Sequence, residues 1–245
     1  MKRNQEKNLE KFYRKLDNPN LYKFGDNISR YRLNEFIEML SKHRGLFGKR
    51  ALDIGCGGGI STFALEKLGL NVVGLDPQKE MIKMANKAAR EINSKAIFIH
   101  GNLEDLPKET LFDSIFMLGN VLAHLSVFEL NEMLIKLKGL LRKSGVLVIH
   151  YADTIGDILN REFFVINHGA SRSDIEFTYD IENGAINITV IEKKIREDLY
   201  EAERFKIFIW APWILEIILN NEGFHLMHRE YLPRNMILDI YKKLD

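Results

Sequence analysis

The sequence predicts an α/β protein: a doubly wound, mostly parallel seven-stranded sheet with an N-terminal helical cap and an antiparallel β insertion. Three observations carry that prediction. Through the middle of the chain, short β-branched runs alternate with amphipathic helical stretches and no tight hairpin separates them, which demands parallel strands joined by crossover helices. Beyond about Tyr151 the rhythm changes to strands in direct succession, with a turn signal between the first two. The length, 245 residues, buries roughly 70–75% of the unfolded chain's surface, enough for one large core without covalent staples.

Each element follows in order. The first 48 residues read as helix, loop and helix: Leu9 to Leu16, a turn at Asn18-Pro19-Asn20, then Arg32 to Leu40. Arg50 to Ile54 is a strand, followed by glycines and a helix from Ser61 to Leu68. Asn71 to Leu75 is a second strand; the helix after it, Lys79 to Ile92, repeats Met81, Ile82, Ala85, Ala88 and Ala89 at helical spacing. Ala96 to His100, Phe112 to Leu118 and Val146 to His150 are three more strands, the last two flanking a helix from Phe128 to Leu141. Asp174 to Ile181, Ala185 to Ile195 and Leu199 to Trp210 form the insertion, with Glu182-Asn183-Gly184 turning between the first two. A helix opened by Pro212 and stopped near Gly223 leads to two final strands, His225 to Leu232 and Met236 to Tyr241. The expected divisions are a cap at 1–48, a core at 49–155 and 211–245, and an insertion at 156–210.

Composition limits the function. Lys plus Arg number 35 against 34 Asp plus Glu, a net charge of +1, which argues against a nucleic-acid partner because phosphates call for a basic excess. Cys56 is the only cysteine, so an intrachain disulfide and a cysteine-ligated cluster are excluded and a reducing cytoplasm fits. The charged start lacks an apolar leader, and no apolar run reaches the roughly 18 residues of a membrane span. No metal site is expected: His225 and His228 stand three apart in a strand, whose alternation sends them to opposite faces.

The most informative segment is Leu52-Asp53-Ile54-Gly55-Cys56-Gly57-Gly58-Gly59, where a buried strand turns into a helix. Glycines let the backbone approach a ligand closely, and the helix start offers unpaired N–H groups. The dinucleotide pattern G-x-G-x-x-G/A fails at Ile60 or at Thr62, according to register, and a G-x-x-x-x-G-K-[ST] phosphate loop is missing. What fits is D-x-G-x-G-x-G over Asp53 to Gly59, with Asp76 at the end of the second strand, where a carboxylate accepts both ribose hydroxyls of an adenosine. Asp76 also suits a cap for the helix opened by Pro77.

Here the chain resembles the class I S-adenosylmethionine-dependent methyltransferases, whose fold is Rossmann-like. The likeness runs through Asp53 to Gly59, Asp76, Gly101-Asn102-Leu103-Glu104-Asp105-Leu106-Pro107, Phe112-Asp113-Ser114-Ile115 and Lys143 to Ile149, about 100 residues in the family's order. Leu21-Tyr22, Gly25 to Arg30 and Leu118-Gly119-Asn120-Val121-Leu122-Ala123-His124-Leu125 are similar to segments of glycine and sarcosine N-methyltransferases. The resemblance implies S-adenosylmethionine as cofactor, S-adenosylhomocysteine as product and a small-molecule acceptor methylated at nitrogen; the alternatives are methylation of RNA or protein and a non-catalytic cofactor-binding module. It places Tyr22, Arg30 and Leu118 at the methionine end, Asp76 at the ribose, and Asn102 and Leu103 at the adenine, with Glu104 and Gly119 also in the cofactor site. Asp53, Gly55, Cys56, Gly57, Gly59, Pro77 and Met81 complete the implied cofactor set, and Asn120 and His124 face the substrate. One position departs: Ala152 stands where those enzymes carry a carboxylate-binding arginine, so glycine is doubtful as acceptor unless Arg161 or Arg172 supplies the charge.

Methyl transfer from a sulfonium needs alignment and exclusion of water more than a strong acid. His124, Tyr151, Asp153 and Tyr179 are the candidate proton acceptors or amine positioners, with His124, Asn120 and Tyr151 the leading catalytic set. Cys56 reads as a small tolerated side chain, although its place before a helix could lower its pKa. The aromatic insertion (Phe163, Phe164, Phe177, Tyr179, Phe205, Phe208, Trp210 and the neighbouring Trp213) reads mainly as core, with a box around a methylated cation or a dimer surface as the minority alternatives, so a homo-oligomer stays open.

Overall fold

The computed structural model describes residues 27–107, 109–159, 173–180, 182–194 and 199–244. Helix α1 (Asn27–Ser41) precedes strand β1 (Arg50–Ile54). There follow α2 (Ile60–Lys67), β2 (Asn71–Asp76), α3 (Lys79–Glu91), β3 (Ile97–His100), β4 (Phe112–Met117), α4 (Val127–Leu140) and β5 (Leu141–Ala152), with a 3-10 turn in place of an α-helix between β3 and β4. A short helix α5 (Thr154–Leu159) leads to β6 (Ser173–Asp180), β7 (Ala185–Lys194) and β8 (Leu199–Phe208); α6 (Pro212–Asn221), β9 (Phe224–Leu232) and β10 (Met236–Lys243) close the chain.

The main sheet has the order β3-β2-β1-β4-β5-β10-β9. Strands β1 to β5 pair in parallel, while β10 runs antiparallel to both β5 and β9. The strand order reverses at β1, because β2 and β3 lie on one side of it and β4 on the other. In an open α/β sheet, that reversal leaves a crevice at the carboxyl tips of the strands. β6, β7 and β8 form a separate antiparallel sheet, as the hairpin-type turn predicts; Gly184 takes the left-handed φ of +60° there. The early helix Leu9 to Leu16 and Tyr22 lie outside the described residues, as do Arg161, Phe163, Phe164 and Arg172.

The two faces of the sheet bury two cores. One holds Leu52, Ile115, Leu147, Ile149, Tyr151 and Tyr241 under α4 and α6; the other holds Ala51, Phe116, Val146, Val148, Leu238 and Ile240 under α1 and α2. Strict alternation along β5 decides the membership: Val146 and Val148 face one way, Leu147, Ile149 and Tyr151 the other. Helix α1 faces its core through Leu33, Phe36, Met39 and Leu40, a helical stripe. Helix α4 begins with a capping box, in which the Glu129 N–H donates to Ser126 Oγ at 3.2 Å and the Ser126 N–H to Glu129 Oε2 at 3.0 Å.

Two carboxylates hold the frame. Asp113, at the base of β4, accepts from the N–H groups of Lys49 (2.9 Å) and Arg50 (2.8 Å) and from Arg142 (2.9 Å). Partial burial alone would raise its pKa, but these four donors and charges outweigh it and the carboxyl is held below its usual value. Asp239, fully buried on β10, accepts Arg229 Nε at 2.8 Å and Nη2 at 2.9 Å, with the hydroxyls of Tyr151 at 2.9 Å and Tyr241 at 3.0 Å on the same carboxylate. Four donors, one of them on Oδ1 and three on Oδ2, thus meet this buried anion, the kind of compensation under which burying a charge is tolerable.

Candidate active site

The glycine loop sits at the strand-order reversal, between β1 and α2. Gly55, Gly57 and Gly59 take φ values of +69°, +52° and +93°, in the left-handed region that favours glycine. Gly55 and Gly59 are also sterically pinned, since a Cβ on Gly55 would stand 2.7 Å from Val121 and one on Gly59 2.9 Å from Phe63. Gly57 differs: nothing lies within 4 Å of its would-be Cβ, so this part of the loop borders open space.

Asp53 holds the start of α2 by accepting the hydroxyls of Ser61 (2.7 Å) and Thr62 (2.6 Å), both on Oδ2. Its Oδ1 is buried without a hydrogen-bond partner, and burial pushes the carboxyl up to about 6. Asp76, at the tip of β2, accepts the Gly57 N–H on Oδ2 at 2.9 Å and the Gln78 N–H on Oδ1 at 2.8 Å. Each oxygen keeps a lone pair, so the carboxylate shapes the loop and still has capacity for two hydroxyls. Burial raises the Asp76 pKa, with the two N–H bonds and His100 opposing. His100 Nε2 lies 3.1 Å from the Pro77 carbonyl, tying the tip of β3 to that of β2. The loop Asn102 to Asp105 is a capped turn, the Asn102 N–H donating to Asp105 at 2.8 Å; Asn102 is exposed, Leu103 packs on the core, and Glu104 pairs with Lys136.

On the other side of the crevice, after β4, Gly119 and Asn120 both take left-handed φ, +74° and +70°. The Asn120 N–H donates to the His150 carbonyl at 3.0 Å, its Oδ1 accepts from the Ala152 N–H at 3.2 Å, and the Gly119 N–H donates to His150 Nδ1 at 3.2 Å. With Nδ1 accepting, a neutral His150 carries its proton on Nε2. His150 packs edge-on against Phe36 of α1, ring centroids 5.9 Å apart. Burial, with a smaller contribution from Arg32, pushes its pKa down to about 4; burial does the same to His124, in the short 3-10 turn Val121–His124. Both imidazoles are neutral at physiological pH. The insertion reaches this turn through Trp210, whose indole N–H donates to the carbonyls of Leu122 (2.8 Å) and Leu125 (3.1 Å).

The structure brings together Asp53, Gly55, Gly57, Asp76, Gly119, Asn120 and His150 around the carboxyl tips. Leu118 is buried behind them, while Pro77 is exposed and Met81 half-buried on the first turn of α3. Several expectations change. Tyr151 points to the opposite face of β5 from His150, fully buried with its hydroxyl on Asp239, so it belongs to the frame and has no proton to exchange with a substrate. Arg30 is exposed on α1, and Arg32 Nη2 comes within 3.6 Å of the would-be Cβ on Gly119. Asp153 accepts from the Gly156 N–H at 3.0 Å, opening α5, and Tyr179 is 63% exposed on the insertion. Burial raises the Cys56 thiol well above its usual pKa, the reverse of an activated nucleophile. Sequence reasoning missed His150 and Arg32. Their signals were the position of His150 at a parallel-strand tip, in phase with Val146 and Val148, and the place of Arg32 one turn from Ser29 on the buried stripe.

A reversal-point crevice with this loop and a carboxylate at the tip of β2 is an arrangement that can hold a nucleoside-bearing cofactor such as S-adenosylmethionine. Residues 51–145 match the family model described as a methyltransferase domain. A ubiquinone biosynthesis O-methyltransferase of Vibrio parahaemolyticus is 44% identical over 78 residues, 32% of either chain, so the chain matches about a third of the length of this curated relative. Among solved structures, the PH0226 protein from Pyrococcus horikoshii is similar at 24% identity over 96% of this chain and 99% of its own, with a TM-score of 0.77. CalS10 from Micromonospora echinaspora, an amino pentose methyltransferase solved with bound SAM, is similar at 14% identity over 87% and 92%, with a TM-score of 0.58. At these identities the two solved structures bear on the fold alone.

The residues present fit that cofactor. S-adenosylmethionine brings two ribose hydroxyls, for which Asp76 retains two acceptor sites, and an ammonium donor, which suits the unpartnered buried Oδ1 of Asp53. The open side of Gly57 leaves room for it beside the loop.

Proposed function

We propose that the chain methylates a small-molecule acceptor at nitrogen, with Asp53, the glycine loop and Asp76 holding the cofactor and Asn120, His124 and His150 facing the acceptor. When bound, S-adenosylmethionine supplies an electrophilic methyl group on a positively charged sulfur that leaves as a neutral thioether. The chain's own residues have three tasks: to align the acceptor's lone pair, to exclude water and to keep the acceptor unprotonated.

One observation carries the choice of nitrogen. The imidazoles of His124 and His150 have pKa values near 4, so they are hydrogen-bond partners but very weak bases. Deprotonating a phenol, whose ordinary pKa is near 10, would place a proton on a group about six orders of magnitude too weak to hold it. An alkylammonium must likewise lose its proton, to the solvent before it enters, but the neutral amine then brings its lone pair into the site without a charge to bury and needs only a positioned acceptor for its N–H. Asn120 is well built for positioning, because its backbone and its side chain are both fixed to β5. The near-neutral charge supports a small acceptor over a nucleic acid, and we place the reaction in the cytoplasm, with Cys56 as the chain's only thiol. Among the described residues, no helix is long and apolar enough to cross a membrane.

The test is release of S-adenosylhomocysteine over a panel of primary and secondary amines, amino acids, phenols, thiols and bulk tRNA. Turnover is expected with amines. Turnover confined to tRNA or to phenols would replace this reading.

A further inference from the structure

The edge of the sheet opposite the glycine loop carries a second cluster that methyl transfer does not use. His43 lies in the turn after α1, and His228 and Glu230 lie on β9. A ring nitrogen of each histidine and a carboxylate oxygen of Glu230 all fall within 4.8 Å of one another. The His43 Nε2 to Glu230 Oε2 distance is 3.4 Å, and the two imidazoles stand with centroids 4.4 Å apart, tilted by 46°. His228 Nε2 is buried and has no hydrogen-bond partner.

A β-bulge makes the cluster. The β9–β10 register runs Leu226 opposite Tyr241, then skips Met227 and resumes with His228 opposite Ile240 and Glu230 opposite Leu238. Without the skip, His228 would share the face of Leu226 and Tyr241. With it, His228 and Glu230 turn to the side of Leu238 and Ile240, where α1 packs, and Arg229 turns to Asp239. The same bulge returns His225 and His228 to one side of the sheet, against the simple alternation expected from sequence.

We propose that His43, His228 and Glu230 bind a divalent transition-metal ion of the zinc type, which fastens the turn after α1 to the edge strand β9. Zinc takes imidazole and carboxylate ligands at about 2.0–2.2 Å in tetrahedral array, which sets neighbouring ligand atoms about 3.3 Å apart. The 3.4 Å separation of His43 Nε2 and Glu230 Oε2 is such an edge, long for a charge-assisted hydrogen bond. Lys42 Nζ holds the other carboxylate oxygen at 2.7 Å, which leaves Oε2 to the ion and acts as an outer support for the ligand. Two imidazoles and one carboxylate leave a fourth position for water. The proposal is independent of the reading of the glycine loop.

The experiment uses the full chain without an affinity tag, stripped with chelator and titrated with Co²⁺ and Zn²⁺. One Co²⁺ per chain with the intense visible absorption of a tetrahedral site is expected, displaced by one equivalent of Zn²⁺, together with a rise in the unfolding midpoint that grows with metal concentration. His43→Ala and Glu230→Gln should each weaken binding at least tenfold, while His225→Ala leaves it unchanged. Failure of the wild-type protein to take up metal would overturn the proposal. So would uptake that survives both His43→Ala and Glu230→Gln, since the ion would then lie elsewhere.

Discussion

Replacing Asp76 by alanine removes the acceptor that fixes the loop and that, in the proposed site, receives the ribose. The carboxylate of this 7% exposed side chain already receives the Gly57 and Gln78 N–H groups, and the remaining lone pairs are the ones offered to the two ribose hydroxyls. A hydrogen bond to a charged group is worth about 1.5–3 kcal/mol net. Two such bonds at the low end give about 3 kcal/mol, or an affinity about 100-fold weaker at roughly 1.4 kcal/mol per decade. Asparagine is no rescue, because its amide would turn a donor toward either the Gly57 or the Gln78 N–H. The assay is calorimetric titration with S-adenosylhomocysteine, with circular dichroism to confirm that the variant is folded. A dissociation constant within threefold of wild type would refute the placement of the ribose.

Further outcomes follow from the buried groups. Burial raises the Asp53 pKa from 3.8 to about 6, so the folded protein binds this proton more tightly than the unfolded chain. Its contribution, about 3 kcal/mol, is therefore full below pH 4 and lost as pH rises through 6. Asp53→Asn should flatten the cofactor-free stability curve over that window by denaturant titration, and an unchanged slope would contradict the assignment. Asp239→Ala leaves Arg229 without its buried partner and should cost about 3–5 kcal/mol in urea unfolding; a loss under 1 kcal/mol would mean that water reaches the ion pair. Tyr151→Phe should lower stability by about 2 kcal/mol while kcat stays within threefold, and a kcat loss of a hundredfold would return Tyr151 to the catalytic set. With His124 and His150 at about 4, the profile of kcat against pH should lack a histidine inflection between 6 and 8, and His124→Ala should leave its shape unchanged.

Strands β1, β2 and β4 of the parallel half were legible because both of their faces are largely buried, which writes them as apolar runs, and β1 spans Arg50 to Ile54 as expected. The glycine loop and Asp76 were legible for a local reason: positive φ and a strand tip leave marks within a few residues. Tyr151 was misplaced because its surroundings depend on the phase of a strand. Neighbours on a strand face opposite ways, so only the packing of Val148 and Ile149 decides that His150 rather than Tyr151 meets the crevice. The cluster of His43, His228 and Glu230 needed two facts no local pattern holds: the bulge at Met227, and the docking of α1 against β9 and β10.

The atom that receives the methyl group decides most directly between an amine acceptor and the others. Incubating the protein with S-adenosylmethionine labelled with ¹³C in its methyl group and the acceptors of the panel, then reading the product by carbon-resolved NMR, identifies the atom that receives it. The label is predicted on an amine nitrogen. A label on oxygen, or one that never leaves the cofactor, would contradict the account.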